Sequence, residues 1–540
     1  MEKAWENKSF PKRRTSVEAQ KKAKQPDFMA RAALLFGSGT LSSRILGLIR
    51  DSLLFSIMPL DLKDAWLAAY RLPNFFRRLL GEGGLSVSFI PVFVGLQTEA
   101  QRAERKALVN GVFTLLMGLV TIICLLCFLF MEEIVSHWLS GPGFSSVPGK
   151  IEQTIEMAKV MVFFLFFITF FAYLMALLNG LRKFTLSGYA PLFLNVALIA
   201  GLYIYRDSPQ LPIASSWALV IGGALQALFL APAVYKHGVF PKISLGLFHP
   251  AVKKVIYKFL PTILGVGILQ ILNIVNVYFA SQLAPGAISY MYLGDRLLEL
   301  PLSLIAVSIG TTLLPTLSQY WSQKEPGTFL TCLSRHLRLF HFLAIPSAFG
   351  LWFFGIDIVD VLFARGEFTS SEVPVVAGIL KVYCLTLLSA GGLKIISQAF
   401  YATGDTHTPA LVSGVALVGH LFAAPVLMKI YGIEGLVLST ALVTLVNLVV
   451  CTALLQGKVG WLAWPELLGH ALRCTLAGSA MAGFLIGVHQ ISWKQGRFLL
   501  DFPILLIIIS VAGLIYFAGA SFLKIDEMQV FARRLKRHRP

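Results

Sequence analysis

The chain has 540 residues, of which 56% are hydrophobic and 14% are charged, and its formal net charge is +18. Soluble domains carry about 25% charged residues, so this composition excludes a soluble protein and indicates an integral membrane protein. The apolar runs are long enough for membrane-spanning helices, which excludes a β-barrel and predicts an all-α bundle. In such a bundle the excess lysine and arginine marks cytoplasmic loops and tails, so we predict no nucleic-acid partner.

The chain begins with a polar, basic tail over residues 1–27 that lacks the apolar core of a signal peptide. We expect this tail to be cytoplasmic, either as a plain orientation signal or in contact with anionic headgroups. The basic end, 524–540, and an even number of spans predict that both termini are cytoplasmic. About fourteen spans are predicted, over residues 28–58, 62–96, 107–131, 155–178, 189–205, 211–234, 259–282, 287–317, 337–354, 373–401, 409–430, 436–455, 467–488 and 502–522.

Two details of these spans are specific enough to test. The second span is too long for one straight crossing, and its glycines at 81, 83 and 84 predict a bend or break. A short amphipathic piece is expected outside the spans after the ninth of them, carrying Asp357, Asp360, Arg365 and Glu367.

A faint internal repeat predicts two lobes. Residues 71–91 align with 295–315 at an offset of 224, and a second pair of segments, ending at Pro191 and Pro409, aligns at an offset of 218. The predicted division is a first lobe of six spans (28–235), a cytoplasmic linker (236–258), a second lobe of six spans (259–456) and two final helices (464–523). Transporters built from repeats hold their substrate between them, near the midplane.

The first span carries arginines deep in an apolar sequence. Arg44 and Arg50 are six residues apart, about 120° around a helix, so both can line one wide polar wall. The alternative for Arg50 is snorkelling to the membrane interface. Because arginine matches phosphate and carboxylate geometry, the pattern favours a cavity for an anionic, phosphate-bearing substrate.

The second span repeats this pattern. Arg71, Asn74 and Arg78 lie on one stripe of a helix, with Arg77 beside it. Alternatively, Arg71 or Arg78 pairs with Asp64 or Glu82 and only holds helices together. In the eighth span, Asp295, Arg296 and Glu299 form an acid–base–acid group that either faces the shared cavity or neutralises itself.

Other polar groups carry weaker signals. Lys394 is either a pathway residue or a snorkelling one, and His420 is predicted to be a hydrogen-bonded packing residue rather than a proton relay. Cys124 and Cys127 have C-x-x-C spacing inside an apolar run, which favours packing over redox or metal chemistry. Since no nucleophile, phosphate-loop or metal motif is found, we predict a protein that is not an enzyme, with no metal, no cofactor and an open choice of coupling ion.

Five segments together resemble one family. At SRILGLIRD, DAWLAAYRLPNFFRRLLGEGGLSVSFIPVF, YLGDRLLELP, LFARGEFT and FYATGDTHTP the chain closely resembles the MurJ (MviN) lipid II flippases of the MOP exporter superfamily. The resemblance implies two six-helix lobes in a V around a cationic cavity, plus two C-terminal helices whose groove takes a lipid tail. It also implies a bacterial cytoplasmic (inner) membrane location and transport of undecaprenyl-diphosphate-linked peptidoglycan precursor from the inner to the outer leaflet.

The resemblance also assigns residues. Functional positions of the family match Ser43, Arg44 and Arg50 in the first helix, Asp64, Asn74 and Arg77 in the second, and Asp295, Arg296 and Glu299 in the eighth. We expect Arg44, Arg50, Arg77 and Arg296, with Ser43 and Asn74, to bind substrate, and Asp64, Arg71, Arg78, Glu82, Asp295 and Glu299 to act as cavity charges or in gating. The family often has lysine at the position of Arg71, and its loop before Asp64 is one residue longer; neither difference touches the four arginines.

The expected partners are lipid II and membrane lipids, with other cell-wall synthesis proteins as further candidates. Two other transport functions stay open: a flippase for another polyprenyl-linked glycan, and an ion-coupled multidrug antiporter of the same superfamily. An antiporter for cations would line its cavity with acids and aromatic residues rather than arginines. A membrane enzyme acting on lipid phosphates would need a base or nucleophile set, which the sequence does not offer.

Overall fold

The computed structural model describes residues 37–80, 85–96, 98–244, 246–247, 249–491 and 493–529. The regular elements in these ranges are helices, which confirms the predicted all-α membrane architecture. In chain order they are α1 (37–57), α2 (Leu60–Arg77), α3 (Leu85–Val94), α4 (Arg102–Leu129), α5 (Met131–Trp138), α6 (Pro142–Ser145), α7 (Lys150–Gly180), α8 (Thr185–Tyr189), α9 (Pro191–Ile204), α10 (Leu211–Lys236), α11 (Pro250–Ser281), α12 (Ala287–Ser322), α13 (Pro326–Phe363), α14 (Val373–Ala402), α15 (His407–Val459), α16 (Trp464–His489) and α17 (Phe498–Phe522).

These helices account for the predicted spans. Nine helical segments within the described ranges are long and apolar enough to cross a membrane; one of them joins α8 and α9 (Thr185–Ile204), and another, α15, supplies two spans. The other four predicted spans correspond to α1, to α2 with α3, to α11 and to α12.

The helix α15 reverses direction at Gly432, whose backbone is not helical (φ 59°, ψ −132°). Asn447 Nδ2 donates to Ser413 Oγ at 3.1 Å, and Ser439 Oγ lies 3.0 Å from His420 Nδ1, so the two halves pack antiparallel. A positive φ is accessible to glycine without the steric cost that a side chain brings, which explains how one residue can make this reversal.

The structure describes only the first part of the break predicted within the second span. The α-helix ends at Arg77 and continues as a π-helical turn over residues 78–80. The next residues, 81–84, which include all three glycines and Glu82, lie outside the described residues.

Two predicted boundaries were wrong. The connection after α10 is shorter than the predicted linker 236–258, because α11 already begins at Pro250. Proline suits the first helical turn, where its missing N–H would be unsatisfied anyway, and His249 Nδ1 accepts a hydrogen bond from the amide of Ala251 at 3.3 Å. In addition, α13 runs on to Phe363, so Asp357 and Asp360 lie in its last turns and not in a separate amphipathic piece.

Asp357 is buried because the loop before α17 covers it. It lies 2.6 Å from His489 Nδ1 and 3.2 Å from Lys494 Nζ, and Lys494 also contacts Asp360. Burial alone would lower the pKa of Lys494, but the hydrogen bond that Lys494 donates to Asp360 and the charge of Asp357 outweigh it and raise that pKa.

The helices pack in two groups. In the first, α7 packs against α2, α4 and α10, and Tyr173 donates to the carbonyl of Val109 at 2.6 Å. In the second, α14 packs against α12, α13 and α15, while α16 and α17 cover α13, where Tyr516 donates to the carbonyl of Phe342 at 2.8 Å. Contacts between the groups run mainly from α2, α3 and α4 to α11 and α12, so the charged helices α2 and α12 face each other.

Candidate functional site

A buried carboxylate joins an arginine of α1, which bonds the first group through Asn195 of α9, to an arginine of α12 in the second group. Asp51 of α1 is 1% exposed. Arg50 donates to Asp51 Oδ1 from Nε at 2.9 Å and from Nη2 at 2.5 Å, and Arg296 of α12 donates from Nε to Asp51 Oδ2 at 2.7 Å. We call Arg50, Asp51 and Arg296 the Asp51 hub; its two guanidinium groups share the Asp51 carboxylate, and Arg296 also contacts Glu299 at 3.2 Å.

Neutral groups complete the Asp51 hub. The Tyr292 hydroxyl donates to Asp51 Oδ1 at 3.1 Å, and Arg50 Nη1 donates to Asn195 Oδ1 of α9 at 3.1 Å. A Cβ atom built on Gly47 would lie 2.9 Å from Arg296 Nη2, so a side chain at this position would push the end of the Arg296 side chain aside.

The remaining residues predicted in the first helix lie beside this hub. Asn195 Nδ2 donates to the carbonyl of Ser43 at 3.0 Å and to Ser43 Oγ at 3.3 Å. Arg44 donates to Ser303 Oγ of α12, a neutral partner in the other group. Arg50 is 8% exposed and turns inward, so the snorkelling alternative for it was wrong.

On α2, two predicted arginines are positioned by different means. Arg71 Nη2 lies 3.7 Å from Asp295 Oδ2, its guanidinium sits 5.9 Å from the centre of the Tyr292 ring, and its Nε has no hydrogen-bond partner within the described residues. Arg77 donates from Nε to Asn74 Oδ1 at 2.9 Å, so Asn74 orients an arginine. π-helical turns such as the one over 78–80 are common at functional sites.

The acid–base–acid group of α12 does not neutralise itself as one alternative supposed. Arg296 bonds Glu299 at 3.2 Å but bonds Asp51 of α1 at the shorter distance of 2.7 Å, while Asp295 faces Arg71 of α2. The group is therefore shared between the two groups of helices, and one of its members, Asp295, lines the first cavity.

Two adjoining cavities lie between α2, α11 and α12. The first is lined by Arg71, Asp295, Asn273 and Asn276 among others. The second is lined by Arg71, Arg78, Asn74, Gln270 and Asn273 with apolar neighbours. Both cavities share Arg71 and Asn273, so they adjoin at these two side chains.

Lys394 of α14 belongs to the same region. The charges that act on it are those of Glu299 on α12 and Arg78 on α2. The Lys394 side chain is exposed, so its position fits both a pathway role and snorkelling.

Asp64 lies apart from the arginines, in a contact between the two groups that we call the Asp64 clasp. Its carboxylate accepts hydrogen bonds from Lys150 Nζ (3.0 Å), the Gly286 amide (2.6 Å), and the amide (2.9 Å) and hydroxyl (2.7 Å) of Ser289. Lys150 also contacts Asp61 at 3.0 Å. Because Lys150 neutralises this carboxylate, the predicted alternative that Arg71 or Arg78 pairs with Asp64 was wrong. The other predicted partner, Glu82, lies outside the described residues.

A second contact, the loop clasp, joins the α1–α2 turn to residues 364–372 between α13 and α14. The amide of Glu367 donates to the carbonyl of Ser56 at 2.9 Å, and Arg365 donates to Ser52 Oγ at 2.6 Å. The Lys63 side chain, 0% exposed, donates to the carbonyls of Phe55 and Glu367, both at 3.3 Å. The two clasps close the same end of the bundle, because α1 ends and α2 begins there.

His420 is a packing residue with both ring nitrogens engaged. It is 0% exposed, its Nε2 lies 2.9 Å from Asn276 Oδ1, and its Nδ1 lies 3.0 Å from Ser439 Oγ. The prediction of a hydrogen-bonded packing role is supported, with one addition: its partner Asn276 lines the first cavity.

Three central residues were missed as site residues: Asp51, Lys63 and Lys150. Asp51 follows Arg50 directly in SRILGLIRD, which suggests a local pair and hides the bond to Arg296. The sequence could have identified these residues by their charge, since a charged side chain inside an apolar helix needs a partner. Within the described residues no group of three or more His, Cys, Asp and Glu side chains could hold a metal ion; all six cysteines there are free.

Comparison with known proteins identifies relatives over nearly the whole chain. The family model described as "Lipid II flippase MurJ" matches residues 61–507. The probable lipid II flippase MurJ of Bdellovibrio bacteriovorus is 39% identical over 497 residues, covering 91% of this chain and 94% of the relative. The lipid II flippase MurJ of Burkholderia cenocepacia is 32% identical, covering 83% and 89%.

Solved structures show the same fold. A lipid II flippase MurJ in an inward closed conformation matches with a TM-score of 0.75 and 24% identity, over 93% of this chain and 99% of that one. An inward-facing multidrug resistance MATE family transporter of the MOP superfamily matches with a TM-score of 0.64 and 14% identity, over 79% and 98%.

Proposed function

The chain belongs to the MurJ family of lipid II flippases, and from this membership we propose that it carries undecaprenyl-diphosphate-linked peptidoglycan precursor across the bacterial cytoplasmic membrane, from the inner to the outer leaflet. Such transport makes and breaks no covalent bond of the substrate. The protein must instead bind the anionic head inside the bilayer, shield it from lipid and release it on the other side.

The observation that carries this proposal is the Asp51 hub. Arg50 and Arg296, from different groups of helices, already meet on one carboxylate. A phosphate oxygen fits the same guanidinium forks, so the diphosphate can bind to the two arginines of the hub. Arg44, held by a neutral serine, and Arg77, oriented by Asn74, supply two more forks for it. Ser43 supports the site through Asn195.

The mechanism we propose is alternating access. With both termini in the cytoplasm, α1 ends at the outer face, and the Asp64 clasp and the loop clasp then close the outer side. Substrate enters from the inner leaflet, and release to the outer leaflet requires both clasps to open. Because the substrate is anionic, an inside-negative potential favours export by about 2.3 kcal/mol per charge per 100 mV.

In this proposal the two lobes and the two final helices have separate roles. The two predicted lobes, the second of them starting at Pro250 rather than at residue 259, rock against each other, and the final helices over 464–523 provide the groove for the isoprenoid tail. Large apolar side chains on α17 support such a groove, since Leu499 is 84% exposed and Leu514 is 67% exposed.

Two other functions compete with this one. The shared fold of the MATE transporter keeps multidrug antiport as an alternative, but arginines facing α12 and the cavities disfavour a cationic drug. A flippase for a different polyprenyl-linked glycan would use the same arginines and differ only in how the head group is bound.

The test is transport in reconstituted vesicles containing lipid II. We expect Arg296→Ala and Arg44→Ala each to lower the amount of lipid II that reaches the outer leaflet by about tenfold or more, the worth of one charge-assisted hydrogen bond. Arg206→Ala, in an exposed loop pair with Asp207, is the control and should leave transport unchanged. Unchanged transport in both cavity variants would remove the arginine site, and wild-type protein that moves no lipid II would remove the function.

A further inference from the structure

The helix α11 carries three carboxamide side chains, Gln270, Asn273 and Asn276, which we call the amide row. Residues three apart are neighbours on a helix surface, separated by about 4.5 Å along its axis. Asn273 lines both cavities, Gln270 lines the second and Asn276 lines the first. The amide row therefore runs along both cavities, opposite Arg71 of α2.

The chemistry of the amide row differs from that of the Asp51 hub. A carboxamide both donates and accepts hydrogen bonds, so it pairs with hydroxyl groups, with N-acetyl groups and with peptide amides. It carries no charge, so it does not neutralise the arginines across the cavity, as an aspartate in the same place would. The row is suited to the uncharged part of a substrate whose charged part is held elsewhere.

The opposite wall offers a donor for the same ligand. The Nε atom of Arg71 is buried and has no hydrogen-bond partner in the part of the chain that the structure describes. Buried polar atoms are nearly always hydrogen-bonded, so an unpartnered donor on a cavity wall indicates a place for an acceptor from a ligand. Tyr292, beneath the Arg71 guanidinium, also bonds Asp51, so this donor adjoins the Asp51 hub.

We propose that the amide row and Arg71 form the subsite for the sugar–peptide head of the lipid diphosphate, beside the diphosphate on the Asp51 hub. This inference rests on the proposed function and adds the recognition of the head group to it. In this conformation each cavity encloses only about 10 Å³, room for about one water molecule. Movement of Arg71 and Asn273, which line both cavities, enlarges the space when the head group enters.

His420 acts as a positioning residue for the amide row. It holds Asn276 Oδ1 at 2.9 Å, and Thr440 Oγ1 lies 3.4 Å from Asn276 Nδ2, so the amide of Asn276 is fixed from the α15 side. The groups that face the His420 ring are neutral: Asn276, Ser439 and the ring of Phe279.

The experiment compares two ligands on the full-length protein in nanodiscs: lipid II, and undecaprenyl diphosphate without a head group. We expect Asn273→Leu, which keeps the size of the side chain, to weaken lipid II binding by about tenfold and to leave undecaprenyl diphosphate binding within about twofold. Gln226→Leu makes a similar change at a buried amide of α10 that lines neither cavity, and should alter neither affinity.

The outcomes separate the two claims. If Asn273→Leu weakens both ligands equally, or neither, the head-group subsite is wrong, whereas wild-type protein that binds no lipid II contradicts the proposed function itself. For His420, we expect His420→Leu to weaken lipid II selectively and His420→Gln, which keeps a hydrogen bond to Asn276, to recover part of that affinity. Equal loss for both ligands in His420→Leu, with no recovery in His420→Gln, would contradict the positioning role.

Discussion

At the scale of single residues, the charge balance inside the bundle depends on Asp51. Its carboxylate faces Arg50 from its own helix and Arg296 from α12, and only 1% of its surface is exposed. Removing one partner of a buried ion pair leaves charge without compensation, which costs about 3–5 kcal/mol. In this hub the remaining charges would be two cations close together.

We predict that Asp51→Asn lowers the free energy of unfolding by about 3 kcal/mol or more. Thermal unfolding of the purified protein measures this, and added inorganic pyrophosphate should restore more stability to the variant than to wild type, because an anion can replace the lost carboxylate. The control is Asp207→Asn, which also follows an arginine directly but is 86% exposed, and should change stability by less than about 0.5 kcal/mol. Equal effects of the two substitutions would show that burial of the hub does not matter.

The cost of burying a charge also explains which site residues could be identified from the sequence. Arg44, Arg50 and Arg296 were identifiable because a charge inside an apolar helix needs a reason to be there. Their partners were not, since Asp51 bonds Arg296 across 245 residues and Asp64 bonds Lys150 across 86. No local spacing encodes those pairings; they result from how α1, α7 and α12 pack.

At the scale of elements, the loop between α13 and α14 depends on one backbone conformation. Gly366 has φ +58°, and a Cβ atom built on it would lie 2.1 Å from the carbonyl oxygen of Ser56. The glycine thus serves both the turn and the close approach to α1. Its neighbour Glu367 makes the hydrogen bond to that same carbonyl.

We predict that Gly366→Ala opens the loop clasp. The readout is hydrogen exchange of the Glu367 amide, which should become faster by tenfold or more, since the alanine methyl group displaces Ser56 from the loop. Gly404→Ala is the matched control: its φ is +81°, but no atom lies within 4 Å of the added Cβ, so only the left-handed strain of about 1–2 kcal/mol remains. Glu367 exchange that rises as much in Gly404→Ala would assign the effect to general loss of stability.

Elements were more predictable than their ends. The spans 409–430 and 436–455 were separable because Tyr-Gly and Glu-Gly interrupt an apolar run, and α15 does reverse at Gly432. The start of α11 and the end of α13 were missed because lysines and aspartates were taken to lie outside the helices. Tertiary partners reverse that expectation: Asp357 remains helical and buried because His489 and Lys494 cover it.

At the scale of the whole molecule, two separate contacts close one end of the bundle. In the Asp64 clasp a residue of α2 accepts three hydrogen bonds from Gly286 and Ser289 of the other group. Hydrogen bonds to a charged group contribute about 1.5–3 kcal/mol each, so this clasp is a large part of what opposes opening.

We predict that Asp64→Asn shifts the protein toward the form that is open at this end. The measurement is the labelling rate of a cysteine placed at buried Ala287, using a membrane-impermeant thiol reagent in a Cys332→Ser background, since the other five cysteines are buried. The rate should rise by about tenfold or more. Asp61→Asn removes the other carboxylate from Lys150, but that group is 50% exposed, and the rate should rise by less than about threefold. If Asp61→Asn had the larger effect, the charge of Lys150 rather than the bonds between the groups would control opening.

The reversal of α15 at Gly432 also bears on how the protein is made. Most other successive spans are separated by polar turns, such as the one that holds Arg206 and Asp207, where a nascent chain can pause in water after a crossing. The two halves of α15 have a single non-helical residue between them, so no polar loop separates these two spans. We therefore expect the translocon to release both halves into lipid as one preassembled pair, already joined through His420 and Ser439.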